Sequence, residues 1–200
     1  MQALLKLSRA IDGLNSLVGR AVIWLILAST VISGINALVR KILHTSSNAY
    51  LEVQWYLFAA AFLLAAGYTL LQGEHVKVDV FSSRLPKRTQ IWIEIFGFVF
   101  FLTPMVLTIL WFSVPFVKQA MVTGEMSGNS GGLIRWPVYL MIPVGFTLLF
   151  LQGGSELIKR IAFLRGLIDD PTIKKSEKTA EEDLAEALRG LVKTKDGQKA

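Results

Sequence analysis

The amino-acid sequence predicts an all-α integral membrane protein with four transmembrane helices. Both ends are expected in the cytoplasm, with an amphipathic interfacial helix at the N-terminus and a polar tail at the C-terminus. Three observations carry this expectation. Hydrophobic residues make up 52% of the 200-residue chain and charged residues 18%, with a mean hydropathy of +0.49, whereas soluble domains carry about 25% charge. The apolar residues fall in four continuous runs, each near the ~20 residues a helix needs to cross the hydrocarbon. Lysine and arginine are alternately dense and sparse in successive gaps, the asymmetry that sets orientation.

The segment Met1–Gly19 places Leu4, Leu7, Ile11, Leu14 and Val18 at three- and four-residue spacing, with Lys6 and Arg9 elsewhere on the wheel. That pattern suits a helix on the cytoplasmic membrane surface; a plain cytoplasmic extension of the first span fits equally well. Residues 20–165 form the membrane domain, with spans near 21–39, 53–71, 91–112 and 136–157. The runs are continuous rather than alternating, and lipid demands that each segment pair its own backbone, so helices are expected rather than strands. The first run has span length and no clear A-x-A cleavage site, which marks an uncleaved span. Trp24, Trp55, Trp92, Trp111, Trp136 and Tyr139 lie near span ends, where amphipathic rings favour the interface. Pro104 and Pro143 fall inside spans and predict kinks.

Orientation follows from the flanks. Lys6, Arg9 and Arg20, then Lys77, Arg84, Lys87 and Arg88, then Lys159, Arg160 and Arg165 mark one side. Only Arg40 and Lys41, and Lys118 and Arg135, mark the other. The richer side is cytoplasmic. The gap KQAMVTGEMSGNSGGLIRWP reads as a loop; its NSGG run follows no strand and lacks the lysine of a phosphate cradle. Residues 166–200 form a polar tail in which Thr179 and Glu182 fit a capping box.

These features narrow the function. The net charge of +6 reflects basic residues flanking apolar runs, which serve topology and headgroup contact, so no nucleic-acid partner is expected. The chain has no cysteine, which removes disulfides and thiolate ligands. His44 and His75 both lie outside the spans, which argues against a haem-carrying membrane anchor of a redox enzyme, the main alternative. A small multidrug exporter would need an ionisable group deep in a span; Glu52, Glu94 and Glu156 sit near span ends. A transporter would show broken helices and repeated halves, and neither is visible. No catalytic, cofactor or metal site is expected. Glu52 has candidate partners in Arg40 or Lys41, and Glu156 in Lys159 or Arg160 at i+3 and i+4. Ser29, Ser33 and Ala37, and likewise Ala61 and Ala65, form small-residue stripes that let helices approach closely.

The run Glu52-Val-Gln-Trp-Tyr, the small-residue helix after it and GEHVKVDVFSSRLPKR resemble the small membrane subunit of tripartite ATP-independent periplasmic (TRAP) transporters, the DctQ type. The matching positions are Glu52, His75, Val76, Lys77, Val78, Asp79, Leu85, Pro86, Lys87 and Arg88. GGLIRWPVYLMIPVGF also looks like this family, and the likeness covers about residues 14–164. It implies a bacterial inner-membrane protein. Its partners would be a large DctM-type subunit that carries the substrate and sodium sites, a DctP-type periplasmic solute-binding protein, and lipid. It implies import of organic acids and a non-catalytic scaffold role for this chain. Glu52, Arg40, Ala61, Ala65, His75, Lys77, Asp79, Arg88 and Arg135 are expected to serve structure or subunit contact.

Overall fold

A computed structural model describes residues 1–44, 47–73 and 85–168. Among the described residues, four helices are long and apolar enough to cross a membrane: α1 (Gln2–Leu43), α2 (Asn48–Gln72), α3 (Lys87–Thr123) and α4 (Trp136–Leu164). Each contains one of the expected spans. The only strand-like pairing in that part of the chain is a single antiparallel bridge between Met126 and Ile134.

The helix ends follow local chemistry. Gly73 closes α2 in the left-handed region (φ 67°), its N–H bonded to the Leu70 carbonyl, and Gly124 (φ 60°) closes α3. Both positions suit a residue without Cβ. Pro86 stands immediately before α3, and Pro137 occupies the first turn of α4, where its missing N–H leaves no bond unmade.

The fourth helix is the hub. It packs on α1, α2 and α3, and α1 also lies along α2. Glycines allow the closest approaches. Gly145 of α4 lies against the Leu63 backbone of α2, Gly67 of α2 against Asn15 of α1 and the Leu148 carbonyl, and Gly19 of α1 beneath the Tyr68 ring. Small residues at such crossings are the rule where lipid supplies no hydrophobic drive between helices.

The side-chain distribution is inverted relative to a soluble bundle. Trp111, Phe62 and Trp24 are 78%, 73% and 70% exposed, while Ser8, Asn15, Gln152 and Ser155 are fully buried. Polar groups turn inward to find partners that the hydrocarbon cannot offer.

Of the two readings of Met1–Gly19, the helix fits the extension of the first span, because α1 runs unbroken through Arg20. The leucine stripe faces outward, with Leu4, Leu7 and Leu14 exposed, and the opposite choice, Ser8 and Asn15, is buried. Hydrogen bonding to α4 decided which face turned in. Ala61 is buried at 3% exposure inside this chain's own packing. The tail from 169 onward, including Thr179 and Glu182, lies outside the described residues.

Helix α3 carries a π-helical turn at Phe98–Leu102. Its buried face explains why. Up to the start of the turn Ile91 is buried and Glu94 and Phe98 meet Arg160 of α4, and Val106, Ser113, Val117 and Ala120 are buried after it. The steps Ile91–Phe98 and Val106–Ser113–Ala120 are each seven residues, but Phe98–Val106 is eight. A regular helix would throw one stripe off α4, and the wider turn absorbs the extra residue. Pro104, just beyond, has no N–H to offer the preceding turn, and the Thr103 hydroxyl donates to the Phe98 carbonyl at 2.9 Å.

Candidate functional site

The largest polar assembly ties α1, α4 and α3 together near the N-terminal end of α1. On α1, Ser8, Asp12 and Asn15 stand at i, i+4 and i+7, one face of a helix. On α4, Gln152, Ser155, Glu156 and Lys159 repeat the same spacing. The two faces interlock. The Ser8 and Ser155 hydroxyls are 2.7 Å apart. Ser155 donates to Asp12 Oδ1 at 2.7 Å and Gln152 Nε2 donates to the same oxygen at 2.9 Å. Asn15 Nδ2 donates to Gln152 Oε1 at 2.9 Å.

A ladder of charge continues from Asp12. Lys159 Nζ binds Asp12 Oδ2 at 3.2 Å and also pairs with Glu156. Arg160 pairs with Glu156 through NH1, while its Nε donates to Glu94 on α3 at 2.7 Å. Its guanidinium also lies over the Phe98 ring, 4.7 Å from the centroid, a cation–π contact. Three carboxylates and two cations thus alternate across three helices. Glu156 and Arg160 are 6% and 5% exposed. Charges so buried persist only when paired, and removing one partner is far costlier than removing a surface pair.

A second assembly closes the opposite end. Glu52, 3% exposed at the start of α2, accepts from the Ser127 hydroxyl, from Asn129 Nδ2 at 2.8 Å and from the Leu133 N–H at 2.7 Å. All three donors belong to the loop between α3 and α4. Asn48 Nδ2 donates to the Ser130 carbonyl at 3.1 Å and the Tyr56 hydroxyl to the Ile134 carbonyl at 3.2 Å. The loop is thereby stapled over the first turns of α2. Beside it Arg135 bonds Glu125 at 3.1 Å and Tyr139 at 3.3 Å; the Tyr139 hydrogen bond first, and Glu125 after it, raise the guanidinium above its ordinary range.

The structure relocates several expected residues. Glu52 finds its partners in the loop rather than in Arg40 or Lys41, because backbone and amide donors arrive at hydrogen-bond distance while both cations lie exposed in the last turn of α1. Glu156 does pair with Lys159 and Arg160 at i+3 and i+4. Ser29 donates to the Gln54 carbonyl of α2 at 3.3 Å, while Ser33 and Ala37 stay exposed. Ala65 is half-buried and Arg88 exposed. His75, Lys77 and Asp79 lie outside the described residues. Sequence reasoning missed the α1–α4 ladder, although its signal was present: polar residues at helical spacing on both segments.

Residues 14–163 match the family described as "Tripartite ATP-independent periplasmic transporters, DctQ component". The match takes in the span-forming part of every helix, the loop staple, and all of the charge ladder except Asp12. No curated protein matches the chain.

Proposed function

Because the chain belongs to the DctQ family, the small membrane subunit of tripartite ATP-independent periplasmic transporters, we propose that it acts there as a non-catalytic brace. In this reading it holds a large DctM-type transport subunit in place while a DctP-type periplasmic protein delivers the solute. The observation that carries the reading is the ladder itself. Asp12, Lys159, Glu156, Arg160 and Glu94 spend their charges on one another and lock α1, α4 and α3 into a fixed arrangement, as a support requires.

The finer features follow the same reading. Both chain ends lie in the cytoplasm, on the strength of the lysine and arginine asymmetry, and the membrane is the bacterial inner membrane. The transported solutes are organic acids and their import is coupled to sodium, both handled by the large subunit. Ala65, Arg40, Arg88 and Arg135 serve structure or subunit contact, as do His75, Lys77 and Asp79 in the segment after α2.

Affinity purification of the tagged chain in mild detergent tests the brace directly. A DctM-type subunit should copurify, and Arg160→Ala should reduce its yield while leaving expression of the chain detectable. Recovery of the chain alone from membranes that contain both subunits would refute the reading.

A further inference from the structure

The π-helical turn Phe98–Leu102 sits where the two buried stripes of α3 fall out of step. Starting from Val106, Ser113 and Ala120, an uninterrupted α-helix would next turn Val99, Ile95 and Trp92 toward α4. The residues that do face it are Phe98 and Glu94, with Ile91 fully buried one turn before Glu94. The first segment of α3 therefore carries two usable stripes, one residue apart. The unused stripe is wholly apolar and needs no π turn.

What selects the observed stripe is visible. Arg160 Nε donates to Glu94 at 2.7 Å, and its guanidinium covers the Phe98 ring. Arg160 is itself held by Glu156, one helical turn back on α4. Leu102, at the far end of the turn, sits so close to Gly153 that a Cβ there would fall 2.7 Å from Leu102 Cδ2, which pins the second stripe independently. The ladder thus grips α3 on one side of the irregular turn and the apolar seam grips it on the other.

We propose that Arg160 is the catch of a two-position register switch in α3. Releasing Glu94 and Phe98 lets the π turn be absorbed, rotates Lys87–Gly97 by one residue (about 100°) and exchanges Ile91 for Trp92 against α4. Ile91 is now fully buried and Trp92 is 62% exposed, so the two positions differ at a residue that reports on itself.

The test uses the full chain with Trp92 as sole tryptophan, the other four of its five replaced by phenylalanine, in phosphatidylcholine vesicles. Brominated acyl chains and aqueous acrylamide between them reach a ring exposed to either medium. The parent should be quenched by at least one of them; a ring that neither reaches contradicts the observed register. Glu94→Ala should lose that quenching as Trp92 turns inward. Deletion of Phe100 alone should fold and keep Trp92 reachable, because a chain one residue shorter meets both stripes without a π turn. Adding that deletion to Glu94→Ala should restore the quenching, which separates a change of register from misfolding. Quenching of Glu94→Ala equal to the parent, or lost and not restored by the deletion, overturns the proposal.

Discussion

Gly145 gives the most direct test of how the bundle is packed. A Cβ added there would lie 2.5 Å from the Leu63 carbonyl oxygen, 2.8 Å from its carbon and 3.0 Å from its Cβ. The first two are backbone atoms of α2, so no rotamer change can clear them. Reaching ordinary contact near 3.5 Å requires the two helices to part by about 1 Å, enough to forfeit a quarter to a half of each dispersion contact along the seam. Overpacking of this kind costs about 1–3 kcal/mol, offset by about 1 kcal/mol from replacing a helical glycine with alanine. Gly154, nine residues along the same helix, has nothing within 4 Å, so Gly154→Ala keeps the gain without the clash. Gly154→Ala should therefore lie above the parent and Gly145→Ala level with it or below, the two about 1–3 kcal/mol apart, or several degrees in the thermal midpoint. Tryptophan fluorescence during thermal unfolding in detergent measures this. Equal midpoints for Gly145→Ala and Gly154→Ala would refute the close α2–α4 contact.

Three further outcomes follow from the polar assemblies and the charge pattern. Glu52→Gln sets an amide against the Leu133 N–H, Asn129 and Ser127 donors and should cost about 1–3 kcal/mol, read as faster proteolysis within residues 124–135; Glu125→Gln, whose pair with Arg135 is about two-fifths exposed, should change the rate little, and equal acceleration by both would remove Glu52 as the anchor. Asp12→Ala leaves Lys159 with Glu156 alone and strips an acceptor from Ser155 and Gln152, so it should lower the midpoint by more than Arg9→Ala, an exposed cation on the same helix; a larger effect at Arg9 would mean the ladder does not hold α1. Reporter fusions after Lys41 and near Gly128 should read as periplasmic and those after Arg84 and Lys175 as cytoplasmic, and the reverse pattern would sink the orientation.

The four helices were legible because the signal is coarse: about 20 consecutive apolar residues admit few other structures. The fit of Glu156 with Lys159 and Arg160 was legible because both partners lie within one helical turn. Glu52 was not, because its donors come from a loop some 75 to 81 residues away, a distance that helical spacing cannot bridge. The leucines of Met1–Gly19 were assigned the right spacing and they do face outward, but the polar stripe opposite them was not read as a contact. Apolar periodicity names a face without saying whether it turns to lipid or to protein, and here the polar stripe Ser8–Asp12–Asn15 was the one with partners to reach. The π turn is written in the sequence as an eight-residue step between Phe98 and Val106, but it can be read only once Arg160 shows that Phe98 faces α4.

Reconstituted transport is the measurement that bears most directly on the brace. Vesicles carrying this chain alone should take up no organic acid under an inward sodium gradient. Vesicles carrying it with its large subunit, supplied with the solute-binding protein, should take up the acid, lose uptake when sodium is replaced by potassium, and lose most of it with Arg160→Ala in the small chain. The binding protein's affinity for solute should not change with that variant. Solute-specific uptake by the chain alone, or full uptake by the large subunit and binding protein without it, would contradict the account.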